Sequence, residues 1–219
     1  MSLVAAESDA PALAFRVEGV EALAHAAVPT LAFQLAVEAE RQHDVRSLAL
    51  NVQIRIEAAQ RGYDAGERGR LFELFGASRD WARSLRSLRW TSVSLTVPPF
   101  SATTSVELAV PCTYDFDVAA AKYLHALAGD DVPLVLLFSG SVFYRGAGGR
   151  LQVVHLPADC EARCRMPLRV WREALERSFP GTAWLRLRRD VFDRLQAYKS
   201  ERALLTWEAA LEQLLEDGE

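Results

Sequence analysis

The sequence predicts an α+β fold: antiparallel sheet or sheets of about seven to nine strands, a two-helix insertion and a C-terminal helical segment. Three observations lead there. Large apolar residues recur at every second position through 48–56, and again over 93–97 and 106–110. Helical spacing is confined to 64–88 and to the residues beyond 165. Between these lies 132–144, the most continuously hydrophobic run in the chain, rich in Val, Leu and Phe. A run of only about a dozen such residues reads as a strand buried on both faces, not as a membrane span.

Taken in order, residues 1–12 are small and polar and are assigned as a flexible N terminus. Residues 13–20 alternate as a first strand. Pro29 opens a second strand, with Leu31, Phe33, Leu35 and Val37 on one face. After a polar turn at 41–44, Leu48, Leu50, Val52, Ile54 and Ile56 face one way, and Asn51, Gln53, Arg55 and Glu57 the other. One buried and one polar face favours antiparallel pairing with the preceding strand.

Asp64, with Glu67 three residues on, forms a capping box, and Gly76 closes that helix. Ser78 is placed as the cap of a second short helix carrying Trp81 and Leu85. Alternation returns at Arg89 and continues past Pro98-Pro99 to Val118, with Pro111 marking a bulge, edge or break. Residues 119–127 conflict: Ala favours helix, while the flanking pattern and the turn at 129–131 favour strand, which we assign. The two apolar runs around that turn then form a central hairpin, 114–146. RGAGG (145–149) is a hairpin loop, and 151–156 the returning strand.

Pro167 opens a helix through Ser178, Asp190 caps another, and Thr206 caps a final, acidic one. No Ser/Pro-rich linker interrupts the chain. Residues 13–219 therefore read as one integrated domain, strand-rich over 13–157 and helical over 165–217.

Composition narrows function mainly by exclusion. The 219 residues are half hydrophobic and carry a net charge of −4, which disfavours a dedicated nucleic-acid binder. Lys122 and Lys199 are the only lysines, which with the abundant Ala points to coding bias rather than guanidinium chemistry. Three cysteines and no signal-peptide pattern at the N terminus suggest reduced thiols in a cytoplasm.

No phosphate-cradling GxxxxGK[ST], GxGxxG after a strand, HExxH, GxSxG or CxxC occurs. No cofactor is implied. Cys160 and Cys164, with His155 nearby, are the weak metal candidates, since thiolate and imidazole suit zinc or nickel. Two ordinary thiols flanking a loop is the blander account. Asp115 and Asp117 flank Phe116 and suit cation binding or acid–base work, or simply a solvated strand face. His125, Asp115 and Tyr123 are the candidates for a dispersed ligand or enzyme site. Arg186, Arg188 and Arg189 form a basic cluster suited to an acidic partner, with pairing to Asp190, Asp193 or Glu201 as the structural alternative. Phe138 and Phe143 join that cluster as partner-binding candidates. Gly140, inside the apolar strand, marks a bulge or the close approach of another backbone.

Several phrases carry a resemblance: VQIRIEAAQRGY, LFELFG, LRWTSVSLTVPPF, VPCTYDFDVAAAKYLHAL, VPLVLLFSGSVFY and WLRLRRDVFDRLQAYK. Together, from about Ala12 to Leu215, they resemble an uncharacterised, mainly actinobacterial family, a domain of unknown function. That resemblance brings no catalytic residues. Its relatives are often encoded near [NiFe]-hydrogenase genes and maturation factors, which implies an accessory or assembly role. VLLFSGSVFY and the hairpin before it are also similar in shape to SecB-type export chaperones. The expectation is a non-enzymatic accessory or chaperone-like protein-binding factor, with hydrogenase subunits or maturation factors as partners and a homo-oligomer as a further option. The alternative is a small-molecule-binding domain or an enzyme with a dispersed site.

Overall fold

A computed structural model describes residues 10–112, 118–129, 131–146, 148–182 and 187–218. The chain divides into two compact units, Met1–Ala183 and Trp184–Glu219.

The first unit holds two antiparallel sheets. One has the order β1 (Leu13–Ala22), β2 (Thr30–Ala39), β5 (Thr103–Pro111). The other runs β4 (Leu88–Val97), β3 (Asp44–Ile56), β6 (Asp131–Arg145), with β7 (Leu151–His155) and β8 (Glu161–Pro167) sharing the far edge of β6. The inner faces meet as a sandwich. Leu31, Phe33, Leu35 and Val37 of β2 join Leu48, Val52, Ile54 and Ile56 of β3 and Leu134, Leu136 and Phe138 of β6 in one core. Phe15 of β1 stacks on Phe138 of β6 across the sheets, ring centroids 4.2 Å apart. Burying each such side chain contributes about 1.5–3 kcal/mol, which the period-2 pattern spends on one face of each strand.

Short helices close the sandwich. Between β3 and β4 come a 3-10 turn (Ala58–Gln60), α1 (Ala65–Arg70), α2 (Phe72–Phe75) and α3 (Trp81–Ser84). The capping box is present: Glu67 N–H donates to Asp64, and the Glu67 carboxylate accepts the Asp64 N–H. Gly76, at φ +71°, caps α2. Ser78 opens a 3-10 turn, not α3, whose N-cap is Asp80. Next, α4 (Ala119–Ala126) packs against α2 and β4. α5 (Leu168–Ser178), preceded by Pro167 as its N-cap, buries Leu168, Val170, Trp171 and Leu175 beside β1, β2 and β8.

Two expectations about the strands need correction. The strands β2 and β3 do not pair: β2 lies between β1 and β5, β3 between β4 and β6, and residues 40–43 carry the chain from sheet to sheet. Alternation reveals which face of a strand is buried, not which strand lies beside it. Residues 119–126 form a helix, so no central hairpin spans 114–146; the intrinsic preference of Ala119–Ala121 prevails. In its place β6 stands alone at the centre, buried on both faces from Val132 to Leu136 and paired with β3 along most of its length. Finally, β8 was not anticipated. Ala162 and Met166 are buried and Glu161, Arg163 and Arg165 exposed, a period of two too short to stand out.

The second unit contains α6 (Arg189–Glu201) and α7 (Trp207–Glu216). Thr206 caps α7 through Ala209 N–H, as expected. α6 begins one residue ahead of Asp190, which sits in its first turn. No helix among the described residues is long and apolar enough to cross a membrane.

Candidate functional site

The far edge of β6 is where the sheet opens. Asp131–Leu137 pair with β8 and Ser141–Arg145 with β7, so the edge is shared by two strands that part at Gly140. At the fork Phe138 N–H donates to the Cys160 carbonyl (2.9 Å) and Leu156 N–H to the Gly140 carbonyl (3.0 Å). Glycine is required there. Gly140 has φ +151°, and a Cβ would lie 1.9 Å from the Ala49 carbonyl oxygen of β3. The close backbone approach foreseen for this glycine is therefore present.

Beyond the fork β7 is a terminal strand. Its inner edge pairs with β6, and no described strand pairs with its outer edge. The RGAGG turn is closed by Gly149 N–H to the Gly146 carbonyl (2.8 Å) and Gly146 N–H to the Arg150 carbonyl (3.1 Å). Leu151 and Val153 project from one face of β7 and are 64% and 55% exposed. Half-buried Phe143 lies opposite Val153. On the other side, Val154 packs on the core and Gln152 accepts the Tyr144 hydroxyl (2.8 Å). An open edge with protruding aliphatic side chains is the geometry onto which an extended segment adds.

A cleft of about 820 Å³ adjoins this edge, lined by residues 10–12, 40–44, the end of β6 and 154–157. Its lining mixes apolar and polar side chains. Asp44 sits 3.8 Å from Arg145 and 3.3 Å from Arg46. His43 Nδ1 lies 2.9 Å from the Arg41 carbonyl, which can only accept, so Nδ1 carries the proton. His155 Nδ1 and the Ser141 hydroxyl are 3.1 Å apart on neighbouring strands.

The sequence candidates are scattered. Cys164 lies on β8 opposite Leu134, Cys160 just precedes β8, and His155 lies on β7 opposite Ser141, at the other end of β6. Among the described residues no group of three or more His, Cys, Asp or Glu could hold a metal ion. Burial pushes the Cys164 thiol up to about 11. Tyr123 and His125 fall on different faces of α4. The Tyr123 hydroxyl meets that of Tyr63 (2.7 Å), whereas the His125 ring lies edge-on to Trp171 at 4.7 Å. Asp115 and Asp117 lie outside the described residues, as does Arg186. Arg188 and Arg189 pair with Asp190 (3.1 Å) and Asp193 (2.9 Å). Phe138 is core; Phe143 is half-buried on β6, opposite Val153 of the terminal strand β7.

Sequence reasoning also missed a buried polar clamp. Glu67, 2% exposed, pairs with Arg61 (3.0 Å), and the same oxygen accepts the N–H groups of Ala128 (2.9 Å) and Gly129 (3.1 Å). Burial by itself raises the Glu67 pKa. The N–H groups of Ala128, Gly129 and Asp64 and the Arg61 charge outweigh that and hold it below the usual carboxylate range. The capping box pointed to Glu67, but the usual capping glutamate is solvated, and nothing local announced its burial beneath 128–129.

The fold thus defines a two-sheet α+β domain closed by short helices, with a helical hairpin as its C-terminal unit. The chain belongs to DUF6084, a family of unknown function, whose model matches residues 10–219. Comparison with curated proteins gives no match. Among solved structures, a late embryogenesis abundant protein is similar at 11% identity and a TM-score of 0.31, covering 73% of each chain. The CARDB domain of a Pyrococcus furiosus protein, solved with di-metal ions, is similar at 9% identity and a TM-score of 0.27, covering 72% of this chain and 92% of that one. Beta-glucosidase 3B from Thermotoga neapolitana follows at 11% and 0.24, covering 70% of this chain and 16% of that one.

Proposed function

We propose that this protein is a non-enzymatic, chaperone-like accessory factor that takes an extended partner segment at the outer edge of β7. One observation carries the reading: a terminal strand whose outer edge meets no described strand presents Leu151 and Val153 to solvent, with Phe143 beside them. Backbone groups on the open edge supply hydrogen bonds that do not depend on the partner's side chains, and the aliphatic side chains supply apolar contact. Soluble proteins ordinarily blunt such an edge with charge or proline; β7, LQVVH, has neither a proline nor a Lys or Arg. The finer assignment, to [NiFe]-hydrogenase subunits or maturation factors, rests on the sequence resemblance alone.

The test is affinity capture by the tagged full chain from hydrogen-grown actinobacterial cells, read by mass spectrometry, beside a Leu151→Asp/Val153→Asp variant. Hydrogenase subunits or maturation factors recovered with the wild type and lost with the variant support the reading. Equal recovery with both removes β7 as the binding edge. Recovery no better than a mock column removes the accessory role.

The cleft favours a second reading, small-molecule binding, because it gathers His43, Asp44, Arg145 and His155 near one opening. Stabilisation of the purified chain by a metabolite, abolished by Arg145→Ala, is its signature.

A further inference from the structure

The C-terminal hairpin scarcely buries itself. No residue of α6 is buried, and in α7 only Ala210 is. Phe192 packs on Trp207 (5.3 Å between centroids), the Tyr198 hydroxyl donates to Asp217 (3.2 Å), and the Arg202 guanidinium stacks 4.0 Å above Tyr198. Beyond these contacts much apolar surface stays open. Leu205, Trp207, Leu211, Leu214 and Leu215 are all exposed, Leu215 at 73% and Leu205 at 93%. The last four fall at i, i+4, i+7 and i+8, a single stripe along α7. Helices of 13 and 10 residues are shorter than those that persist alone in water, so this stripe needs cover.

We propose that the stripe is covered by α6 of a second copy of this chain, in a two-fold dimer where each α7 lies along the other copy's α6. Charge selects α6 as the opposing helix. Glu208, Glu212 and Glu216 repeat every turn along one border of the stripe, and α7 contains no basic residue. Two α7 helices side by side would oppose acid to acid. On α6, Val191, Leu195 and Tyr198 are half-exposed at i, i+4 and i+7. Arg194 borders that row between Asp190 and Glu201, and Arg202 follows at its end. α6 balances Arg189, Arg194 and Lys199 against Asp190, Asp193 and Glu201, so it meets the acidic border of α7 without that repulsion, and two-fold pairing makes the contact twice. The area suffices as well. The five exposed side chains offer on the order of 500 Å² per copy, so a pair brings about 1,000 Å² before any polar rim, the lower bound for a specific interface.

The experiment is sedimentation equilibrium of the full chain from sub-micromolar to tens of micromolar. The wild type sediments as a dimer. Leu211→Glu/Leu215→Glu weakens dimerisation at least about a hundredfold, with the thermal unfolding of the sheet unit unchanged. Glu212→Arg alone weakens it, and adding Arg194→Glu restores it, because the swap re-forms the seam only if α7 faces the other copy's α6. A wild-type monomer throughout overturns the proposal. So does a dimer indifferent to the leucine changes, or one that the charge swap fails to restore. A wild-type monomer that unfolds earlier once Leu211 and Leu215 are changed also overturns it, and assigns the stripe to the chain's own packing. Leu151 and Val153 stay intact in every variant, so this result is read independently of the β7 edge.

Discussion

The backbone of Gly140 on β6 runs so close to that of Ala49 on β3 that the Ala49 carbonyl oxygen would stand 1.9 Å from any Cβ at position 140. Gly140 is also where β7 and β8 part along the other edge of β6. Gly140→Ala must therefore displace β3 or unpair the fork, in addition to forcing a φ of +151° on a residue with a side chain. We expect a loss of about 3 kcal/mol or more, read from urea unfolding. Gly148 is the control: a Cβ there would meet nothing within 4 Å, and its alanine variant should keep wild-type stability.

Glu67 ties α1 to the chain after α4 with one carboxylate. Removing it leaves the Arg61 charge and two backbone N–H groups without their acceptor, so Glu67→Ala should cost about 3–5 kcal/mol. The pH dependence has a definite sign. The folded pKa lies below the unfolded one, so the stabilisation is complete above the ordinary carboxylate range and is lost as pH falls through the folded value. Urea midpoints followed from neutral to acid pH should fall for the wild type, and fall less for Glu67→Gln.

The Tyr63 hydroxyl donates to the Ala58 carbonyl (2.6 Å) and shares a second hydrogen bond with the Tyr123 hydroxyl (2.7 Å), joining the 3-10 turn to α4. Burial first, then the Tyr123 hydrogen bond, pushes the Tyr63 phenol well above its usual range. It should stay protonated in an alkaline ultraviolet titration until the protein unfolds. Tyr63→Phe should cost about 1–3 kcal/mol. The double change with Tyr123→Phe should cost less than the sum of the single changes, because the first substitution already breaks the shared bond.

For His125, burial and then the nearby Arg172 charge lower the pKa. The neutral ring is the form packed against Trp171. Its NMR resonances should therefore shift only below the ordinary histidine range. Because the unfolded chain binds that proton first, His125 contributes stability above the unfolded value that is lost as pH falls through the folded one. Midpoints compared between wild type and His125→Gln should diverge with pH in that window.

The thiols are poor nucleophiles for a shared reason. Burial raises Cys112 to about 12 and Cys164 to about 11, and burial and then the Asp159 charge raise Cys160. With a disulfide reagent at mildly alkaline pH, Cys160 and Cys164, both part-exposed, should react slowly, and buried Cys112 only on unfolding.

Much of the strand content could be read from the chain because burial on one face writes a period of two into it. Leu31 to Val37 and Leu48 to Ile56 carry that period and are buried as it requires. Capping chemistry is equally local, so Asp64–Glu67, Gly76 and Thr206 were legible. Pairing is not local. That β2 and β3 part into different sheets follows from packing two apolar faces against each other, which alternation alone leaves open. Nor is the balance at 119–126, where helix propensity and the space over β4 together outweigh a strand-like flank. Only the tertiary structure decided that Glu67 is buried, that Phe138 belongs to the core while Phe143 lies beside the terminal strand β7, and that Gly140 marks the fork. Each of these depends on which distant backbone arrives alongside, and a sequence records its own periodicity but not its neighbours.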